Sequence, residues 1–332
     1  MPQPHAREPR GRRAALLALA AAAFGFGASA QAQAQDWPAK PIRFVVPTPP
    51  GTGPDVDIRQ MAGLFSGLLG QQVIVENKPG AATRIAVESV IRSAPDGYTF
   101  LVGTPSLTTM SALYPKLKFD PKRELAPVCL ASVTAYTLTI NAAVPAKTVA
   151  EYVKLMKSDP KYTAMGTLGV GSISHLTGAW FGSIEGVTPN FIHYSTTPPF
   201  TDLVGGQYPA IFEAMLPLMG HVQSGKLRTL AISGKKRHPL MPEVPTFAEA
   251  GVANFEPLVW IGLFAPAGTP EPIVRRMADA CAQVARSPEV VAARRNAGSE
   301  SLGSGPQEFA VFLDGERAKW ATVIQGIGLT LE

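Results

Sequence analysis

Only two of the 332 residues are cysteine, Cys129 and Cys281, and charged residues make up 17%, against a usual level of about 25%. Each shortage excludes something. No C-x-x-C pair occurs, and His5, His175, His193, His221 and His238 form neither an HExxH motif nor an i,i+4 pair. No metal and no cofactor is therefore expected. No glycine-rich loop ends in Gly-Lys-Ser/Thr and no G-x-G-x-x-G follows a strand, so nucleotide binding has no support. No apolar run reaches the roughly 18 residues that read as a membrane span. The formal charge of +5 is concentrated at the start, where Arg7, Arg10, Arg12 and Arg13 stand against Glu8 alone. The remainder is close to neutral and lacks the basic footprint of a nucleic-acid binder.

What is present is apolar substance and turn chemistry. Hydrophobic residues make up 46%, enough for true cores, and glycine and proline number 31 each. At roughly 100–200 residues per domain, the length suggests two domains. The chain opens like an export signal. Arg10, Arg12 and Arg13 precede an apolar run from Ala14 to Phe26, and Ala28-Ser29-Ala30 supplies a small-x-small cleavage pattern. A signal peptide over 1–30 is expected, with cleavage possible to 34; the run is too short for a span of roughly 20 residues. An oxidising compartment permits a disulfide, and two cysteines allow one pair. Cys281 falls on the core-facing side of a predicted helix, and two separately buried thiols are the expectation.

Strands and helices then alternate. Ile42 to Val46, Val73 to Val75 and Tyr98 to Val102 read as strands, each followed by a Gly-, Pro- or Thr-rich loop and a helical pattern. Gly70 marks the end of the first helix. The rhythm restarts near 137 with Leu138-Thr139-Ile140, a helix capped by Thr148, and short strands at 191–193, 210–212 and 229–232. Val259 to Phe264 is a further strand. Thr269 reads as the cap of a helix carrying Ile273, Met277, Cys281 and Val284 on one face, and Ser304 to Gln307 as a capping box for the last helix. This order predicts an α/β protein with mainly parallel sheets flanked by helices. Ligands bind such sheets beyond the carboxyl ends of the strands. There lie the loops Pro49-Pro50-Gly51-Thr52-Gly53, Pro79-Gly80-Ala81-Ala82-Thr83 and Gly169-Val170-Gly171-Ser172. Each opens a helix, whose unpaired N–H groups and dipole attract anions such as carboxylates. A cleft lined by amides and hydroxyls, without catalytic machinery, is a solute-binding design.

Several motifs, in order, resemble the Bug family, the periplasmic solute receptors of tripartite tricarboxylate transporters. They are Trp37-Pro38-Ala39-Lys40-Pro41-Ile42-Arg43, Pro47-Thr48-Pro49-Pro50-Gly51 with Asp55, Val75-Glu76-Asn77-Lys78-Pro79-Gly80-Ala81, Ala94-Pro95-Asp96-Gly97-Tyr98-Thr99, Gly169-Val170-Gly171-Ser172 with His175, Thr201-Asp202-Leu203 with Gly205-Gly206-Gln207, and Leu263-Phe264-Ala265-Pro266-Ala267-Gly268-Thr269-Pro270. The resemblance runs from about Trp37 to Leu331. It implies a two-domain, type II periplasmic-binding-protein fold, with domain 1 at 37–136 plus 257–332 and domain 2 at 137–256. It also implies a small organic carboxylate held in the interdomain cleft, delivery to membrane permease subunits, and a monomer. On that reading Thr48, Pro49, Gly51, Thr52, Gly53 and Asp55 form one wall. Ala81, Ala82 and Thr83 form the next, followed by Thr104 and Ser106. Domain 2 contributes Ser172, His175, Thr196, Thr197, Pro198 and Glu213.

The sequence also departs from the family pattern. Thr52 stands where a second glycine is usual, and Ala82-Thr83-Arg84 replaces further glycines. An added Cβ narrows the approach to the backbone and disfavours positive φ. Arg84 either meets a second carboxylate or is solvated. His193-Tyr194-Ser195 replaces Tyr-Lys-Gly, and Pro209 replaces an aspartate. Two other readings stay open: a ligand sensor for a signalling partner, and a hydrolase using Ser172 with His175. The second lacks the closing glycine of G-x-S-x-G.

Overall fold

The computed structural model describes residues 37–194 and 199–331. The expected signal peptide lies outside the described residues, as do Thr196, Thr197 and Pro198. The chain opens with β1 (Ile42–Val46), α1 (Gly53–Leu69), β2 (Val73–Asn77), a 3₁₀ turn at Ala81–Thr83, α2 (Arg84–Ile91), β3 (Thr99–Gly103), α3 (Ser106–Leu113) and the short α4 (Pro121–Glu124). In α1, Ile58, Met61, Phe65 and Leu69 recur at helical spacing and are buried, and Gly70 ends the helix in the left-handed region at φ 70°.

A 17-residue strand, β4 (Leu125–Asn141), then carries the chain out of this first half. The second half contains α5 (Val149–Ser158), β5 (Ala164–Thr167), α6 (Ile173–Glu185), β6 (Asn190–His193), α7 (Phe200–Val204), β7 (Ala210–Ala214), α8 (Leu216–Gln223) and β8 (Leu227–Ile232). The chain returns through β9 (Leu258–Pro266), α9 (Glu271–Arg286), α10 (Pro288–Asn296), β10 (Ser299–Ser304) and α11 (Pro306–Ile327).

The strand order is β2-β1-β3-β9-β4-β7-β5-β6, with β10 and β8 also paired to β4. Among the named strands, parallel pairing is confined to β1 with β2 and β3, and to β5 with β6 and β7. Every pairing made by β4 or β9 is antiparallel. The parallel character read from the sequence thus belongs to the outer strands, and the crossing strands oppose it. β4 changes partners midway: residues up to Ala135 pair with β9, and Tyr136 onward with β7.

The core is correspondingly divided. One cluster packs α1 and α9 against the first half of the sheet, with Phe44 edge-on to Phe65 at 5.2 Å. A second runs across both halves. In it Trp180 of α6 lies 4.6 Å from Phe255 and 5.8 Å from Trp320 of α11, ring centre to ring centre. Aromatic pairs of this kind each add about 0.5–1.5 kcal/mol beyond area burial.

Three local expectations are corrected. Cys129 and Cys281 are not separate thiols: they form a disulfide, joining β4 to the core face of α9 with Cα atoms 6.6 Å apart. Both positions are buried in the same cluster, and burial, the reason for expecting free thiols, is what brings them together. Thr269 does not cap α9; its hydroxyl donates to the carbonyl of Pro266, and the helix begins behind Pro270. Ser304 ends β10 instead of opening a capping box, and Gly305 precedes α11 without a side-chain cap. Thr148 does cap its helix, accepting from the Glu151 amide at 3.1 Å.

The disulfide closes a loop with a sequence separation of 152, which ties both halves of the chain into one ring. Converting both cysteines to alanine should lower unfolding free energy by about 2–5 kcal/mol. A denaturant titration against wild type checks this; equal midpoints would show that the bridge contributes nothing.

Candidate functional site

β4 runs in the same direction as β3, since both oppose β9, and continues past the end of β3 at Gly103. The carboxyl ends of β1, β2 and β3 therefore point toward the second half. β7 opposes β4 and ends at Ala214 beside Tyr136, and β5 and β6 run with β7. Their carboxyl ends point back toward the first half. The loops 47–53, 78–83 and 104–106 thus face the loops 168–172 and 214–216 across a cleft.

The first wall is stitched together by Asp55. Its Oδ2 accepts from the Gly51 amide at 2.8 Å, and its Oδ1 accepts from Arg59 Nε at 2.9 Å and Asn77 Nδ2 at 2.8 Å. Burial alone would raise the Asp55 pKa, but these donors outweigh it and hold the carboxyl below its ordinary range. Asn77 also donates to the Thr48 carbonyl at 3.0 Å, so one amide joins the first loop to the second. The Asp55 carboxylate is thus occupied in shaping the loop. Thr52 does not cap α1: its hydroxyl donates to the Pro49 carbonyl at 2.7 Å and lies 2.7 Å from the Thr48 hydroxyl. Gly53, at the start of α1, is exposed.

The second wall carries backbone strain. Ala81 and Thr83 sit at φ 46° and 75° without being glycine, a conformation that costs of order 1–3 kcal/mol each and clusters at binding sites. Ala82 lies between them in the 3₁₀ turn. The Thr83 hydroxyl is buried with no partner among the described residues, and Thr83 does not cap α2. In the third loop, Thr104 is buried and its carbonyl accepts from Leu107. Ser106 begins α3 behind Pro105, again without a side-chain cap. Three helices therefore open on one edge of the cleft with their first amides unclaimed by side chains.

On the facing wall, Ser172 does cap α6, accepting from the His175 amide at 3.3 Å while its hydroxyl donates to the Gly169 carbonyl at 2.7 Å. His175 Nδ1 accepts from the Gly171 amide at 3.0 Å. Its ring packs edge-on to Phe191 and His193 at 4.5 and 4.9 Å. Burial first, then the neighbouring His193, push the His175 pKa down to about 4, so it stays neutral and able to accept. Ser172 and His175 are wired to backbone, and no bond joins hydroxyl to ring. The nucleophile–base geometry of the hydrolase reading is not formed. His193 Nδ1 lies 2.7 Å from the Thr167 hydroxyl. Gly171 sits at φ 74°, which disfavours a side chain, and a Cβ there would stand 2.7 Å from Leu331 Cδ1 and 3.4 Å from Leu113 Cδ1. The second-half loop thus packs directly on first-half residues.

Glu213 lies in β7, one residue before its end, and is enclosed. Its Oε1 accepts from the Ala214 amide at 2.8 Å, and its Oε2 has no partner among the described residues. Burial raises its pKa to about 7. Among the described residues, no group of three or more His, Cys, Asp or Glu side chains is placed to hold a metal, and no helix is long and apolar enough to cross a membrane.

The tripartite tricarboxylate transporter family receptor pattern, TctC, matches residues 58–329. The chain belongs to this family. BugT of Bordetella pertussis is 31% identical over 299 residues, covering 89% of this chain and 92% of BugT. The solved structure of the periplasmic binding protein BugD superposes with TM-score 0.80 at 28% identity, covering 89% of this chain and all of that one. A Rhodopseudomonas palustris protein solved with adipate gives TM-score 0.81 at 29% identity over the same shares. The fold of this receptor is accordingly the two-domain α/β fold of periplasmic binding proteins.

The sequence named Thr48, Asp55, Thr83, Ser172 and His175, and the fold brings them to opposing edges of one cleft. It gave no role to Arg59, Asn77 or Tyr114. Asn77 stood inside a quoted motif, and its polar side chain at a strand end was the available signal. Asp55→Ala should leave the Gly51 amide, Arg59 and Asn77 short of an acceptor and lower stability by about 1–3 kcal/mol, read as a lower urea midpoint at unchanged slope. The His175 pKa, held below its unfolded value near 6.5, makes stability fully present above that pH and lost as pH falls toward 4. Melting curves between pH 7 and 4 should therefore decline less steeply for His175→Gln than for wild type.

Proposed function

We propose that the protein is an exported receptor that captures a small organic carboxylate in this cleft and passes it to the membrane permease of a tripartite transporter. The observation that carries this reading is the set of uncapped helix starts at Thr52, Thr83 and Pro105 along one cleft edge. Amides at a helix start, backed by the dipole, favour a carboxylate. The adipate bound by the R. palustris relative agrees with that chemistry.

In this reading the ligand meets Thr48, Pro49, Gly51, Thr52 and Gly53 on one side, with Ala81, Ala82, Thr83, Thr104 and Ser106 behind them. Ser172, the 196–198 segment and their surroundings approach from the other side. Asp55 and His175 act from behind, shaping the loops, and Glu213 closes the floor. Domain 1 comprises 37–136 and 257–332 and domain 2 comprises 137–256, hinged where β4 changes partners. The leader is removed on export and the mature chain works as a periplasmic monomer without catalytic turnover. Ligand biases the hinge by binding the closed state more tightly than the open one.

The test is a set of melting curves on the mature chain against dicarboxylates, tricarboxylates, acidic amino acids and aromatic acids. Ligand at 100 times its Kd should add about 2.7 kcal/mol, a shift of several degrees. Indifference to every carboxylate, after removal of any carried-over ligand by unfolding and refolding, would sink the proposal.

A further inference from the structure

Two features of the cleft loops run against the local rules of the fold. The first is Arg84. It occupies the first position of α2, where the helix dipole disfavours a cation. It has no carboxylate partner among the described residues. Its Nε donates to the Ala81 carbonyl at 3.0 Å, and its guanidinium stacks on the ring of Tyr114, 4.5 Å from the centroid. These two contacts immobilise the planar group without neutralising it. Two neighbouring cations of the first wall are paired: Arg59 with Asp55 and Lys78 with Glu76. Tyr114 follows Leu113, the residue that approaches Gly171. The free charge therefore lies near the line along which the two halves meet.

The second feature is apolar. Of the eleven large hydrophobic residues left exposed among the described residues, five sit in the loops or helix starts that face the cleft. They are Val56 at 41% exposure, Ile85 at 50%, Leu168 at 46%, Val170 at 50% and Leu216 at 51%. The first two belong to the first half and the other three to the second. A solvated lip needs no such side chains. Lips that close on an apolar body do, since burying them on closure takes apolar surface out of water.

We infer that Arg84 determines specificity by taking a second carboxylate, and that the aliphatic lips take an apolar spacer, so the ligand is a diacid with an apolar body. This inference rests on the carboxylate-receptor reading above. One carboxylate lies at the uncapped helix starts. The spacer passes between the lips, and the distal carboxylate meets the fixed plane of Arg84, whose two outer nitrogens suit a bidentate contact.

Calorimetric titration of the mature chain with matched acids tests it: succinate and butanoate, adipate and hexanoate, suberate and octanoate, with citrate as a polar triacid. The longer diacids should bind about tenfold or more tighter than the monoacids of equal length. Arg84→Gln should erase that gap by weakening the diacids alone, and Arg84→Lys should restore part of it. Val170→Ser and Leu216→Ser should weaken suberate and adipate while leaving succinate unchanged. Unliganded melting curves identify any variant that is misfolded. Equal losses for monoacid and diacid in Arg84→Gln would overturn the role of Arg84, reducing it to a loop-shaping residue. Citrate or succinate binding as tightly as the longer diacids would overturn the apolar body. No response to any of these acids, citrate included, would overturn the diacid inference, and the acidic amino acids and aromatic acids of the melting panel then decide separately whether the carboxylate reading stands.

Discussion

The architecture depends on one strand that serves two sheets. Among the described residues β4 is the longest strand, and it hands its hydrogen bonds from β9 to β7 within one residue step. A strand is nearly inextensible, so this continuity sets the distance between the two halves. The same continuity orients the site. Because β4 runs with β3 and against β7, the carboxyl ends of both parallel sets must face each other. The cleft is a consequence of strand direction before any side chain is considered.

What the side chains add is a division of labour between shaping and binding. Asp55, Asn77 and Arg59 use up one another's hydrogen-bonding capacity, and in doing so they hold the first two loops together. His175 does the same for the facing loop by accepting from Gly171. Residues that look like ligand contacts by type are thus committed to the backbone. Among the described residues of these loops there remain helix starts without side-chain caps, the Thr83 hydroxyl without a partner, and the Arg84 guanidinium without a carboxylate. The side chains thus serve the loops, and the helix starts face the cleft without side-chain caps.

The disulfide has a place in the same scheme. It fastens α9, a helix that arrives late in the chain, to β4 at the start of the crossing. The first half is built from two distant stretches of sequence, and the bridge joins them at the strand that crosses between the halves. The aromatic contact of Trp180 with Trp320 and Phe255 then ties the second half to the terminal helix.

The order of elements, the loops that open helices, and the family were legible in the sequence because they are local: β-branched runs, glycine at turns, and short motifs in a fixed order. Gly70 stops α1 and Thr148 caps α5 through contacts that span only a few residues, and both were readable from the chain. The pairing of Cys129 with Cys281 was not, because burial alone does not say which buried groups meet. Thr269 was misread as a cap because its hydroxyl is spent on the Pro266 carbonyl at the end of β9, and Ser304 because it belongs to β10. The antiparallel return of β9, the saturation of Asp55 and the stacking of Arg84 on Tyr114 were decided only by tertiary structure. Each depends on a partner from a different strand or helix, and whether a polar group is free or spent is set by what the fold places beside it.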